Sequence, residues 1–439
     1  MRLKIVRCGL AAAGLLLLTA RLDAADANMH LGVATCAGNT CHGSVKPFAD
    51  TPIPQNEYFV WQRKDFHAHA YETLLSPRSV QIARKMGLAD ASTARECLSC
   101  HSDNVPTAQR GPRFVASDGI GCEACHAGSE HWIASHTRGY KSLDERVADG
   151  LYPTWNASDR ARLCASCHVG DDAHPINHAI MAAGHPPILF ELNTYMTIEP
   201  PHWRVNVAYV ERKGMQDAER DWLAGQIAGA RVELQNLAGP RLMHTGVFPE
   251  PAFYDCDACH HSMKAGRVST ARDAGMPVGN IPFADAQIVM VGLWLDVVDP
   301  AVAGTWHAQL HKLYMAGADD PQALRAQAMA MVTQLDKDLL PKSAPEMASP
   351  QVHQLLGRIV ANARHTYTGD YAHAEQTAMA SAVLLTALSD LGAAQVTPAL
   401  RAAVDGLYAQ VKDRDKFSVA AYSEALERLQ RVLGAVAAG

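Results

Sequence analysis

Five pairs of cysteines, each closed by a histidine, lie between residues 36 and 260 and constrain this chain more than any other feature. Four read Cys-x-x-Cys-His: Cys97, Cys100 and His101; Cys122, Cys125 and His126; Cys164, Cys167 and His168; Cys256, Cys259 and His260. The first in order is stretched to Cys36-Ala-Gly-Asn-Thr-Cys41-His42. Two thiols about one helical turn apart reach the two vinyl groups of a c-type haem, while the adjoining imidazole binds the iron. Histidine supplies 21 of 439 residues, so five such placements by coincidence have odds of roughly one in three million. A disulfide framework suits ten cysteines, and zinc suits the ribbon-like spacing of Cys97/Cys100 and Cys122/Cys125, but neither requires a histidine after every pair. The expectation is five covalently attached c-type haems. They are held by Cys36, Cys41, Cys97, Cys100, Cys122, Cys125, Cys164, Cys167, Cys256 and Cys259, with iron on His42, His101, His126, His168 and His260.

Residues 1–27 read as a secretory signal: Arg2, Lys4 and Arg7 precede an apolar run, Cys8 to Ala20, too short to span a bilayer, and Ala25-Asp-Ala27 or Leu22-Asp-Ala24 offers a small-residue cleavage site. Removal takes away Cys8, leaving ten cysteines all used by the motifs, and moves the formal charge from -6 to -8. An acidic protein carrying further propionates meets a basic-surfaced redox partner more readily than an acidic one, and nucleic acid is disfavoured. No later stretch is long and apolar enough for a membrane span. Covalent haem attachment in bacteria takes place outside the cytoplasm, which makes the periplasm the expected location.

Every motif precedes residue 262, and turn-forming residues cluster near 265–285, so the chain divides into a haem domain (28–270), a linker (271–284) and a helical bundle (285–439). Haem macrocycles are large apolar bodies around which a domain forms with short helices, loops and little sheet. The fold class is therefore mainly α. Helices are expected at Arg78 to Met86, Ala179 to Ala183 and Asp217 to Leu237, the last carrying Trp222, Ile227, Ala230, Leu234 and Leu237 on one face. In the C-terminal part, Ala, Leu, Val, Gln and Met recur at helical spacing, and Asp320-Pro321 and Ser349-Pro350 mark starts, for five to seven helices in all. His307 and His311 stand four apart without companion ligands and read as structural.

Eleven histidines before residue 262 remain beyond the five in the motifs: His30, His67, His69, His131, His136, His174, His178, His185, His202, His244 and His261. Five irons need at most five more ligands, so the supply permits two histidines per iron throughout.

Three stretches resemble the cytochrome c-554 family of multihaem cytochromes: Asn56-Glu-Tyr-Phe-Val-Trp with Asp65-Phe-His-Ala-His-Ala-Tyr71; Cys97-Leu-Ser-Cys-His-Ser-Asp-Asn-Val-Pro106; and Asp118-Gly-Ile-Gly-Cys-Glu-Ala-Cys-His-Ala-Gly-Ser-Glu-His-Trp132. The likeness covers about residues 30 to 262, and a stretched first motif is familiar in that family. It implies distal ligands at His67, preferred to His69, and at His136, preferred to His131. The Asn177-His-Ala-Ile-Met-Ala-Ala-Gly-His-Pro186 segment resembles an Ala-Gly-His-Pro element of pentahaem relatives and adds His178 and His185; His244 completes the set. His178 and His185, seven apart, share one side of a helix and suit two neighbouring haems. The family's type member is a tetrahaem electron carrier, so the fifth motif and the C-terminal extension depart from it.

The resemblance implies an electron carrier serving redox partners, such as a hydroxylamine oxidoreductase-like donor or a quinol-linked membrane cytochrome, with the oligomeric state left open. The competing expectation is an enzyme acting on nitric oxide, hydroxylamine, nitrite or a sulfur compound at one five-coordinate haem, the iron of His101 being the family's candidate for an open position. Ligand supply separates the two, and the spare histidines favour the carrier.

Overall fold

The computed structural model describes residues 28–138, 141–215, 217–243, 249–260, 276, 280–317, 320–340, 347–367, 369–392 and 397–437. The expected signal segment, His244, His261 and most of the linker 271–284 lie outside the described residues. The chain is mainly α-helical, as its composition and motifs led one to expect. Among the described residues, the only β-pairings are two isolated bridges, His30 with Arg110 and Tyr254 with Phe283, and there is no sheet.

The motif-bearing part is a series of short helices joined by loops. The principal ones are α1 (Glu57–Lys64), α2 (Pro77–Lys85), α3 (Arg95–His101), α4 (Cys122–His126), α5 (Leu143–Ala148), α6 (Ala157–Ala165), α7 (His178–Ala183), α8 (Val207–Lys213), α9 (Ala218–Ala238) and α10 (Cys256–Cys259). Local chemistry sets their ends. Ser76 caps α2 by accepting from the Ser79 N–H, with Pro77 at the first helical position. Asn177 caps α7 through the Ile180 N–H, and Gly184 ends it at φ +123°, a conformation that favours glycine. Asp217 is the cap of α9 rather than its first residue, because its carboxylate takes the Glu219 N–H.

Among the described residues seven α-helices follow: α11 (Ala286–Val298), α12 (Pro300–Ala316), α13 (Pro321–Gln334), α14 (Ser349–His365), α15 (Tyr371–Asp390), α16 (Pro398–Val411) and α17 (Val419–Ala437). They meet the upper end of the expected count. Helix α11 is apolar all round and buries ten consecutive residues, Ala286 to Leu295, which marks it as the central element. Its own Trp294 is fully buried, as are Trp306 and Tyr422 of later helices, and the Trp306 indole donates to the Ile288 carbonyl at 3.1 Å.

Helix α9 precedes the expected boundary in sequence, yet its Trp222, Leu223, Ile227, Ala230, Leu234 and Leu237 belong to the same continuous core as the bundle. It lies so close to α11 that a Cβ at Gly229 would overlap the side chain of Gln287. The other face of α9, through Ala224, Ala228 and Val232, packs on Ala161 and Ala165 of α6, the helix that leads into the fourth motif. Three buried glutamines complete the seam: Gln226 donates to Gln376 at 2.9 Å, while Gln287 and Gln376 both donate to the Phe190 carbonyl, at 3.0 and 2.8 Å. Phe190 in turn stacks on the ring of His168. The bundle thus fixes one wall of a motif histidine.

Candidate functional site

Each standard motif is wound into one helical turn, which brings its two thiols and its imidazole to one side. In the fifth, the His260 N–H bonds back to the Cys256 carbonyl at 2.7 Å. The stretched motif reaches the same closure by another route. Its extra residues fold into a tight loop, Cys41 N–H to Gly38 carbonyl at 2.9 Å, and the His42 N–H still returns to the Cys36 carbonyl at 3.2 Å. The fourth motif straddles the end of α6 and a π-helical turn, Ser166–Gly170, whose wider pitch carries His168. None of the ten cysteines is in a disulfide.

All five motif histidines face a second histidine from a distant part of the chain. The ring centroids are 6.2 Å apart for His42 and His136, 6.1 Å for His168 and His67, 6.4 Å for His101 and His185, 6.5 Å for His126 and His202, and 6.1 Å for His260 and His178. Two metal–imidazole bonds of about 2 Å each, with about 1.1 Å from each nitrogen to its ring centre, separate such centroids by roughly 6.2 Å. The residues therefore fit an iron bound between two imidazoles.

The orientation of the rings agrees. Nδ1 donates to Glu57 in His42 (3.0 Å), to Asp65 in His67 (3.0 Å), to the Ala70 carbonyl in His101 (2.9 Å), to the Ile133 carbonyl in His136 (2.6 Å) and to the Pro186 carbonyl in His185 (2.7 Å). That leaves Nε2 of each as the ligating atom and fixes the plane of the ring. Burial pushes the pKa of His126 down to about 3 and that of His168 down to about 4, so both rings are neutral, the form a metal requires. Donating to the carboxylates of Glu57 and Asp65 raises the pKa of His42 and His67 instead.

An apolar cavity of about 260 Å³ opens between two of the pairs, touching His42, His136, His126 and His202 together with Cys125 and Cys164. Its walls include Trp132, Leu143, Leu151, Trp155, Met196 and Trp203. The motifs also touch one another: the Cys36 and Cys122 thiols are hydrogen-bonded, as are those of Cys100 and Cys167, and Cys125 lies in the field of Cys164. Motifs one and three, three and four, and four and two are therefore neighbours in space. Helix α7 and the turn after it bring His178 to the fifth motif and His185 to the second.

Four of the five expected distal histidines stand opposite a motif ring: His67, His136, His178 and His185. The fifth facing ring is His202, in Pro200-Pro-His-Trp203 between helices, which no motif singled out. Of the other spare histidines, His30 Nδ1 pairs with Asp103 at 2.7 Å, His69 with Glu72 at 3.0 Å and His174 with Asp171 at 2.8 Å, while His131 is exposed beside Glu130. His101, expected to be the candidate for an open position, faces His185. In the bundle, His307 is engaged by Asp296 at 2.9 Å.

A sheet-free helical chain with repeated Cys-x-x-Cys-His turns is a multihaem c-type cytochrome, carrying covalently bound haem iron for electron transport. Residues 35–127, which contain the first three motifs, match the family model described as cytochrome c554 and c-prime, which supports the resemblance over that region. The fourth and fifth motifs and the bundle lie beyond the match. No curated protein and no solved structure matches the chain. No helix among the described residues is long and apolar enough to cross a membrane.

Proposed function

We propose that the chain binds five c-type haems, each iron held between two histidines, and serves as a periplasmic relay of single electrons between redox proteins. The observation that carries this reading is the set of five facing ring pairs, one for each motif, at 6.1 to 6.5 Å. Haem iron supplies a one-electron ferric/ferrous couple. The protein's own contribution is order and rigidity. Contacts among the cysteines support a succession of motifs one, three, four and two, His178 and His185 on one short segment extend it from the second motif to the fifth, and the Nδ1 hydrogen bonds keep the ligand rings still through a change of oxidation state. With both axial positions filled by the chain, no iron is left for a substrate, so the pairs favour the carrier over the enzyme.

Export to the periplasm rests on the basic and apolar residues 1–27. The acidic balance of the remaining chain suits a donor or acceptor with a basic docking face, such as a hydroxylamine oxidoreductase-like donor or a quinol-linked membrane cytochrome.

Electron paramagnetic resonance of the fully oxidised, haem-loaded protein tests the reading. Two pairs have nearly parallel rings, at 17° and 25°, and three are nearly perpendicular, at 79°, 85° and 88°. Two kinds of low-spin ferric signal are expected in a ratio of two to three, both unmoved by nitric oxide. A high-spin signal that shifts on adding nitric oxide would overturn the carrier reading in favour of an open iron.

A further inference from the structure

We propose that Arg146, Arg212 and Lys213 form a cationic clamp for the propionate carboxylates of the haems seated in the cavity between the His42–His136 and His126–His202 pairs, with Lys213 serving the haem at His126. The inference rests on the haem reading above and adds to it the residues that set a potential.

All three cations line that cavity. Two of them come from one short helix, α8, and the third from α5, so separate elements converge on one place. Lys213 is the last residue of α8, and its Nζ lies 5.0 Å from the ring centre of Tyr209 and 5.4 Å from that of Trp155. Two aromatic faces thus hold the ammonium at the cavity wall. The Nε of Arg146 is buried and has no hydrogen-bond partner. Among the described residues, no carboxylate lies within 4.0 Å of any of the three cations.

The cavity's own acids do not balance them. Glu57 is taken up by His42 and by the Gln55 N–H, and burial raises the pKa of Glu199, holding it toward its neutral form. Arg160, the fourth cation of the wall, is matched by Asp221. Burial, with Arg212 and Arg146 nearby, lowers Lys213 to about 8. Arg146 and Lys213 are half-buried and Arg212 is exposed, and a partly desolvated cation without a carboxylate is stabilised when an anion arrives. Each haem brings two carboxylates, and guanidinium and ammonium groups are suited to them. Lys213 acts electrostatically on His126, and Arg146 on His136, which divides the clamp between the two haems. Because reduction adds a negative charge, a nearby cation favours the ferrous state and raises the potential.

The test is a spectroelectrochemical titration of the haem-loaded protein and its Lys213→Met, Lys213→Arg and Arg212→Gln variants, after covalent haem has been counted by mass. In Lys213→Met one haem is expected to shift about tenfold toward the ferric form at a fixed potential, equivalent to 59 mV for one electron. Lys213→Arg should restore it. Arg212→Gln, at an exposed position, should give a smaller shift in the same direction, and it decides the matter if Lys213→Met does not fold. Five haems with every potential unchanged in all variants would refute the clamp alone. A saturable response of the wild-type potentials to added acetate that vanishes in Lys213→Met would also refute it, showing a site for a free carboxylate. A protein without covalent haem would instead refute the haem reading beneath it.

Discussion

The motif-bearing region and the bundle are both helical, but they are filled by different means. One face of α9 and the bundle share one continuous cluster with Trp222, Trp294, Trp306, Phe283 and Tyr422 among its largest members. Before it, the buried apolar side chains fall into small separate groups, such as Leu74, Ala83, Ala91 and Cys97, or Ile82, Ile180 and Ala183. Such groups are too small to offset the entropy of ordering so long a segment. One region derives its core from side chains, and the other surrounds an apolar cavity bordered by motif histidines. Helical content alone would not have separated them.

The sharpest way to break this comparison is to make the chain without haem attachment. Residues 28–215 are then expected to become sensitive to limited proteolysis, with the bundle still protected, as read by mass spectrometry of the fragments; equal protection of both regions would remove the contrast. Next in size, Trp306→Ala should cost the bundle about 3–5 kcal/mol. Denaturation followed by far-ultraviolet circular dichroism measures this loss, while the Soret band of the native variant should be unaltered. Third, His202→Ala should convert one of five irons to a high-spin form that binds nitric oxide, whereas His244→Ala should leave the ferric signals as they were.

The smallest effect sharpens the seam between the two regions, where Arg414 of the bundle meets Asp257 of the fifth motif at 3.2 Å. Beside them, burial pushes the carboxyl of Glu375 up to about 7 from an ordinary 4.5. Between those values the folded chain holds this proton more firmly than the unfolded one, so stability is greatest below the lower value and declines as pH rises through the upper. The decline should be of order 1 kcal/mol, given partial exposure to solvent. Denaturant midpoints on either side of the window should differ in the wild type and differ less in Glu375→Gln.

The proximal half of the haem sites was legible because attachment chemistry demands neighbours in sequence. The bundle was legible because helix periodicity and proline starts are local, although Ser349 proved to be the first helical residue and Ala348 the cap. Distal ligands obey no such local rule. His136 and His185 stood in segments whose flanks resembled known ones, but His202 is held opposite His126 by a segment whose Arg204 bonds to the Phe48, Ala49 and Pro52 carbonyls and whose Lys213 lies over Trp155, contacts that no spacing encodes. A histidine in a proline-rich connection ending in tryptophan was the available signal, and it is weak. The role of α9 was also hidden: its period disclosed an amphipathic helix, but not that one face belongs to the bundle and the other to α6.

The five histidine pairs have an order along the chain: 42 with 136, 67 with 168, 101 with 185, 126 with 202, and 178 with 260. Each pair opens before the preceding one closes. Once iron bridges them they are interlaced cross-links, every one closing a loop that the next has already entered. A disordered chain so tied has far fewer conformations available, and no stretch between 42 and 260 can be released without detaching an axial ligand. Loss of order in this region should therefore come all at once, announced by the iron, rather than by fraying from either end.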